Sequence, residues 1–307
     1  MVPEPKVIES TIFATVPDEL VLTDQDSEFV RDVFHGQPIG CFLEGPSFDR
    51  DGNLLLVDVA HGRILKLKPS TKEWSVVAKY DGLPNGLKLH KDGRIFVADR
   101  KNGIMIVDPV SGNVETLLGR EDLPGFKGPN DLFFASNGDL YFTDQGETGL
   151  HDPTGRVFRY SASGELSCLI DNIPSPNGLV MDPAESMLYV AVTRANAVWR
   201  MPIRPDGSVH RVGIYCQLVG GWGPDGMAVD TEGNVAIAHA GGGAVWVWSK
   251  LGLPLYRVTS CDGGLLTTNV AFGGADNRTL YTTNSLSQNI IAAELPHPGE
   301  PMFGLMS

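Results

Sequence analysis

Six residues with a side-chain oxygen recur at one register of this chain: Glu44, Asn85, Asn130, Asn177, Asp225 and Asn269. Two carboxylates and four amides, with no His or Cys among them, make a hard all-oxygen donor set. Such a set suits one divalent ion, Ca²⁺ first, with Mg²⁺, Mn²⁺ or Fe²⁺ as alternatives and Zn²⁺ less favoured because it prefers nitrogen and sulfur. Asn or Asp before Gly also shapes turns without binding anything. Six oxygens in register, including a Glu for which turn chemistry has no use, argue for a ring of ligands.

The register comes from an internal repeat. The segments EGPSFDRDGNLLLVDV from Glu44, NGLKLHKDGRIFVADR from Asn85, NDLFFASNGDLYFTDQ from Asn130, NGLVMDPAESMLYVAVT from Asn177, DGMAVDTEGNVAIAHA from Asp225 and NVAFGGADNRTLYTTNS from Asn269 align six deep, at spacings of 41 to 48 residues. That is the length of a four-stranded propeller blade. Each segment reads as a short apolar strand, a turn such as Asp51-Gly52 or Asn137-Gly138, and a second strand rich in Val, Leu, Tyr and Phe. A third strand follows, as in Ala197–Pro202 and Ala244–Trp248, and a fourth is legible at Trp74–Lys79. The expected fold is all-β, a six-bladed β-propeller forming a single domain over residues 1–307, with no helix of any length.

In a closed ring the first strands carry the six oxygens to the central axis at one rim. The second strands return to that rim at Asp58, Asp99, Asp144, Val192, His239 and Asn284. Asp58, Asp99, Asp144 and His239, together with Asn269 of the ring, are candidates to orient the ligands from behind, as outer groups at metal sites do. A structural hydrogen-bond network closing the blades explains the same polar residues equally well. A ring of this kind borrows a strand from the far end of the chain to close its last blade, and Phe29–Phe34 is expected to supply it. The first 20 or so residues and the Pro-rich tail from Pro296 have no place in the repeat.

Composition narrows the partners. With 42% hydrophobic and 20% charged residues the chain has the balance of a globular protein, and no apolar run approaches the ~18 residues of a membrane span. A net charge of −13 without a compensating basic cluster disfavours nucleic acid, and leaves a cation or a small molecule as partner. Four scattered cysteines and an N-terminus without a basic, apolar leader fit a cytoplasmic protein. Gly221-Trp222-Gly223-Pro224-Asp225-Gly226 matches a dinucleotide-binding glycine pattern letter by letter, yet Pro224 opens a strand where that pattern needs a helix.

Glu44-Gly45-Pro46, Gly128-Pro129-Asn130-Asp131, Pro176-Asn177-Gly178, Pro224-Asp225-Gly226 and Thr268-Asn269-Val270-Ala271-Phe272-Gly273-Gly274, in this order, resemble the motifs of the SMP-30/gluconolactonase family over roughly residues 40 to 295. The resemblance implies a metal-dependent six-bladed propeller that opens a small lactone. It carries the metal ligands over as Glu44, Asn177 and Asp225, places Asn130 against the substrate, and makes Asp225 the residue that activates water. Asn85 is expected beside the substrate as well. Sugar-lactonase relatives often have an Arg two residues before the substrate-facing Asn, where this chain has Gly128; Lys127, His151 and Trp222 are the candidates for setting a different preference. An esterase acting on phosphotriesters or arylesters at the same metal, and a non-catalytic propeller binding a ligand on its top face, are the alternative readings.

Overall fold

The computed structural model describes residues 4–22 and 27–306. Six antiparallel sheets of consecutive strands follow one another along the chain, as the repeat predicts. Their innermost strands are Leu43–Phe48, Pro84–Leu89, Pro129–Phe134, Pro176–Met181, Gly223–Val229 and Thr267–Gly273. All are buried or nearly so, because each faces the channel on one side and a neighbouring blade on the other. Six apolar clusters fill the six blade interfaces, each drawing residues from two neighbouring sheets. Removing that apolar surface from water is what holds the ring together.

The closing strand differs from expectation. Thr11–Thr15 completes the sixth blade, antiparallel to Asn289–Glu294 with Thr11 opposite Ala292 and Thr15 opposite Asn289. Lys6–Glu9 adds a fifth, parallel strand to the fifth blade. Residues 29–34 instead belong to a helix, α1 (Glu28–Phe34). Its apolar residues Phe29, Val30, Val33 and Phe34 fall at helical spacing, and a left-handed His35 ends it. Thr11-Ile12-Phe13-Ala14-Thr15, with three β-branched residues and Ala14 buried, is the better strand. Helix α1 packs Phe29 against Phe42, ring centroids 4.9 Å apart, and lies over one rim of the channel.

The tail from Pro296 closes the opposite rim. Glu300 N–H donates to Val229 O at 2.9 Å, Arg50 Nε to Gly304 O at 3.0 Å, and Phe303 stacks on Phe134 at 5.1 Å. A cavity of about 240 Å³, lined by residues such as Phe133, Met227, Phe272 and Met302, lies between this tail and the channel.

Candidate metal centre and substrate cleft

Every innermost strand is irregular at the same place. The pairing with the second strand slips between Glu44 and Ser47, Pro84 and Gly86, Pro129 and Leu132, Pro176 and Leu179, Pro224 and Met227, and Thr267 and Asn269. A bulge re-aims side chains that plain alternation would send elsewhere. Six bulges at the repeat starts turn Glu44, Asn85, Asn130, Asn177 and Asp225 into one cleft of about 740 Å³, lined also by Trp222, His151, Arg100 and Arg194 and roofed by Phe29 and Val33 of α1. Asn269 sits behind this group and donates from Nδ2 to Glu44 Oε2 at 3.0 Å and to Asp131 Oδ2 at 3.3 Å. That contact leaves no room at Gly226, where a Cβ would lie 2.0 Å from Asn269 Cγ.

Asp131 is the residue the repeat alone does not single out. Alternation would put it on the face opposite Asn130, but the bulge between Pro129 and Leu132 brings both toward the axis. The signal was present in Gly128-Pro129-Asn130-Asp131, as a second acid beside the aligned Asn. Glu44, Asp131 and Asp225 thus form a buried carboxylate cluster. Burial, opposed by the Asn269 hydrogen bond and reinforced by the charge of Asp131, pushes Glu44 up to about 8. Burial and then the charges of Glu44 and Asp131 push Asp225 well above the ordinary carboxylate range. Asp131 is raised by burial, which Lys88 opposes.

The amides complete the donor set. Asn130 donates from Nδ2 to Gln145 Oε1 at 2.7 Å, and Gln145 is held in turn by Ser175 Oγ at 2.9 Å, while Asn130 Oδ1 is buried without a partner. Asn177 hydrogen-bonds Asp225 and its Oδ1 is likewise buried without a partner. Tied-back amide nitrogens, free carbonyl oxygens and carboxylates that repel one another are what a hard divalent cation neutralises and satisfies. Glu44, Asn177 and Asp225 fit such an ion, with Asn130 and Asp131 beside them.

Other candidates are placed differently. Asp58 accepts from Phe42 N–H at 3.0 Å and from Arg63, Asp99 from Lys101 and Asn102 N–H, Asp144 from Gly128 N–H at 2.7 Å and from Arg156. His239 contacts Gly220 O and Trp246. These four staple loops at the rim, whereas Asn269 hydrogen-bonds the carboxylate cluster directly. The second strand ends one position too far out, opposite Leu43 in the case of Asp58. Lys127 is not among the residues lining the cleft; its N–H is bonded to Asp144. Trp222 stands at the cleft mouth, 46% exposed. A separate group, Cys41, Asp58 and His61, has metal-ligating types close together. There the Arg63 guanidinium contacts both Asp58 and the Cys41 sulfur, which supplies the positive charge, and burial together with Asp58 holds the Cys41 thiol up at about 12.

With this geometry the similarities to known proteins become informative. The family profile described as the SMP-30/Gluconolactonase/LRE-like region matches residues 42–285. The chain belongs to this family. Lactonase drp35 of Staphylococcus aureus is 32% identical over 265 residues, 81% of either chain, and lactonase drp35 of Staphylococcus epidermidis is 32% identical over 267 residues, 81% of this chain and 80% of that one. The fold is shared with regucalcin of Agrobacterium tumefaciens, titled a calcium-binding protein, at TM-score 0.78 and 21% identity over 97% of this chain and 98% of that one. It is shared also with a gluconolactonase of Xanthomonas campestris, at TM-score 0.73 and 22% identity over 96% and 99%.

Proposed function

We propose that this family member is a lactonase that works with one divalent metal ion, Ca²⁺ in the first instance, held by Glu44, Asn177 and Asp225. The observation that carries the reading is the buried cluster of carboxylates and unpartnered amide oxygens at the floor of an open cleft. The drp35 relatives, named lactonases, supply the substrate class. A hard divalent cation bound there supplies Lewis-acid polarisation of a lactone carbonyl and charge stabilisation of its oxyanion.

The residues do the rest. Asn130, its amide fixed by Gln145, presents Oδ1 toward the cleft and positions the ring. Asp225 takes a proton from the attacking water. Water oxygen bonds the carbonyl carbon, the ring C–O bond breaks, and the released oxygen takes a proton to give a hydroxy acid. Phe29, Val33 and Trp222 provide apolar surface beside the ring.

The test is hydrolysis of γ- and δ-lactones after EDTA treatment, with Ca²⁺, Mg²⁺, Mn²⁺, Fe²⁺ or Zn²⁺ restored singly. Turnover should return with metal and drop by more than about a hundredfold in Glu44→Gln, since removing a direct ligand costs more than removing its supports. Asp225→Asn with metal and full turnover retained would remove Asp225 from the role of base. Failure with every lactone and metal, alongside hydrolysis of arylesters, would replace the reading with an esterase.

A further inference from the structure

Gly128 occupies the position where the resemblance places an arginine in sugar-lactone relatives. Its φ of +132° belongs to the region that favours glycine, and a Cβ there would lie 2.9 Å from Arg100 Cγ and 2.9 Å from Arg100 O. The space of a side chain at 128 is therefore taken by Arg100, which comes from the loop directly after the second strand of the second blade, Ile95–Asp99, and lines the same cleft as Glu44 and Asn130. An arginine of the neighbouring blade thus packs against position 128 and lines the cleft.

The surroundings of Arg100 are those of a binding group. Its side chain is only 22% exposed, yet its ion-pair partner Glu147 is 81% exposed on the loop at the cleft mouth. Burial lowers the Arg100 pKa, and Asp32 and Glu28 oppose that shift. The buried cation is therefore balanced by acids that solvent or an incoming anion can reach. Arg194, exposed across the cleft, forms no ion pair among the described residues, and its Cγ is 3.7 Å from the Cβ position of Gly149 in that same mouth loop. The cleft lining also carries Asp32, Glu44, Glu147 and Asp225, so these two guanidinia are the places in it where an anionic group finds a positive partner.

Resting on the lactonase reading, we infer that the substrate is a lactone carrying a second, non-reacting carboxylate, which binds Arg100 in place of Glu147 with Arg194 on its other side. Arg pairs with carboxylates in a fork that a neutral sugar hydroxyl does not match. The bond cleaved stays the ring ester, and the product is a hydroxy acid with two carboxylates.

The experiment compares γ-butyrolactone with γ-butyrolactone-γ-carboxylate as substrates, and cyclopentanone with 3-oxocyclopentane-carboxylate as ligands in calorimetry, which needs no turnover. In Arg100→Gln the preference in kcat/KM for the acidic lactone should fall by about tenfold or more, through KM, with part of it regained in Arg100→Lys. Glu147→Gln, which removes the competing internal anion, should tighten binding of both acidic compounds. A purely structural Arg100–Glu147 latch predicts the reverse for Glu147→Gln, and that result, or equal losses on neutral and acidic lactones in Arg100→Gln, overturns the inference. Binding of the keto acid with these variant effects but no hydrolysis of either lactone would uphold the anion site and sink the lactonase reading; hydrolysis of neutral lactones with no preference for acidic ones would do the opposite.

Discussion

Three carboxylates gathered in one buried place govern how this protein should respond to pH and metal. A carboxyl whose folded pKa lies above its unfolded value holds its proton more tightly in the folded chain. For Glu44, moved from 4.5 to about 8, the associated stability is complete below the ordinary value and is lost as pH rises toward the folded one. The metal-free protein should therefore melt at progressively lower temperature from about pH 5 to about pH 8.5, and Ca²⁺ should restore most at the alkaline end, where it meets the most negative charge. Melting curves with EDTA and with Ca²⁺ across that range test this; a Ca²⁺ effect independent of pH would mean that these carboxylates do not share one ion. Five of the residues gathered around the cleft were legible because each opens its repeat with an oxygen. Asp131 was not, because a two-residue period assigns it to the wrong face and only the bulge reverses that. Asp58, Asp99, Asp144 and His239 reach the same rim, but arrival there does not say which way a side chain turns, and theirs turn to backbone N–H groups, arginines and loop carbonyls, as a structural network closing the blades does.

At the scale of elements, the repeat exposed the blades and hid the closure. A closing strand has no counterpart within the repeat, so its only signals are alternation and β-branching, and five residues carry few of them. Phe29–Phe34 reads as a strand because Phe29, Val30, Val33 and Phe34 are apolar, but those residues are spaced for a helix that packs on the cleft rim. Thr11–Thr15 has a consequence beyond topology. Ala14, 6% exposed, packs in the cluster that joins the sixth blade to the first, together with Leu43, the neighbour of Glu44. Across the same seam Thr268 donates to Leu43 O at 3.0 Å. Ala14→Asp buries an unpaired charge there and should cost more than about 2 kcal/mol, because nothing in the cluster can pair it. Denaturant melts should show the loss, and metal affinity should fall with it because Glu44 enters the ring from this seam. Unchanged stability in Ala14→Asp would mean that the first residues contribute no closure.

For the whole molecule, the two ends of the channel have opposite chemistry, and each depends on a different part of the chain. The cleft end is polar and is set by six bulges, by Asn269 behind the carboxylates and by α1 above them. The other end is apolar and is covered by the tail, which the sequence left without a place because proline-rich segments carry neither strand nor helix periodicity. Arg50 donates to Gly304 O and Met306 O, Asn277 Nδ2 to Gly299 O at 2.6 Å, and Phe303 closes the aromatic group of Phe96 and Phe134. A chain ending after Leu295 would bare Phe134, Phe272 and Met227 at the channel floor. Phe303 is buried to 7% exposure, and its removal alone is of the class that costs about 3–5 kcal/mol. Truncation should therefore lower the melting temperature and create binding of an apolar fluorescent dye. It should change Ca²⁺ affinity far less than Glu44→Gln does, since no residue of the tail lines the cleft. Calorimetric Ca²⁺ titration of the truncated chain separates the two ends: affinity lost to the same degree as in Glu44→Gln would mean that the bulged strands take their positions from the floor rather than from their own pairing.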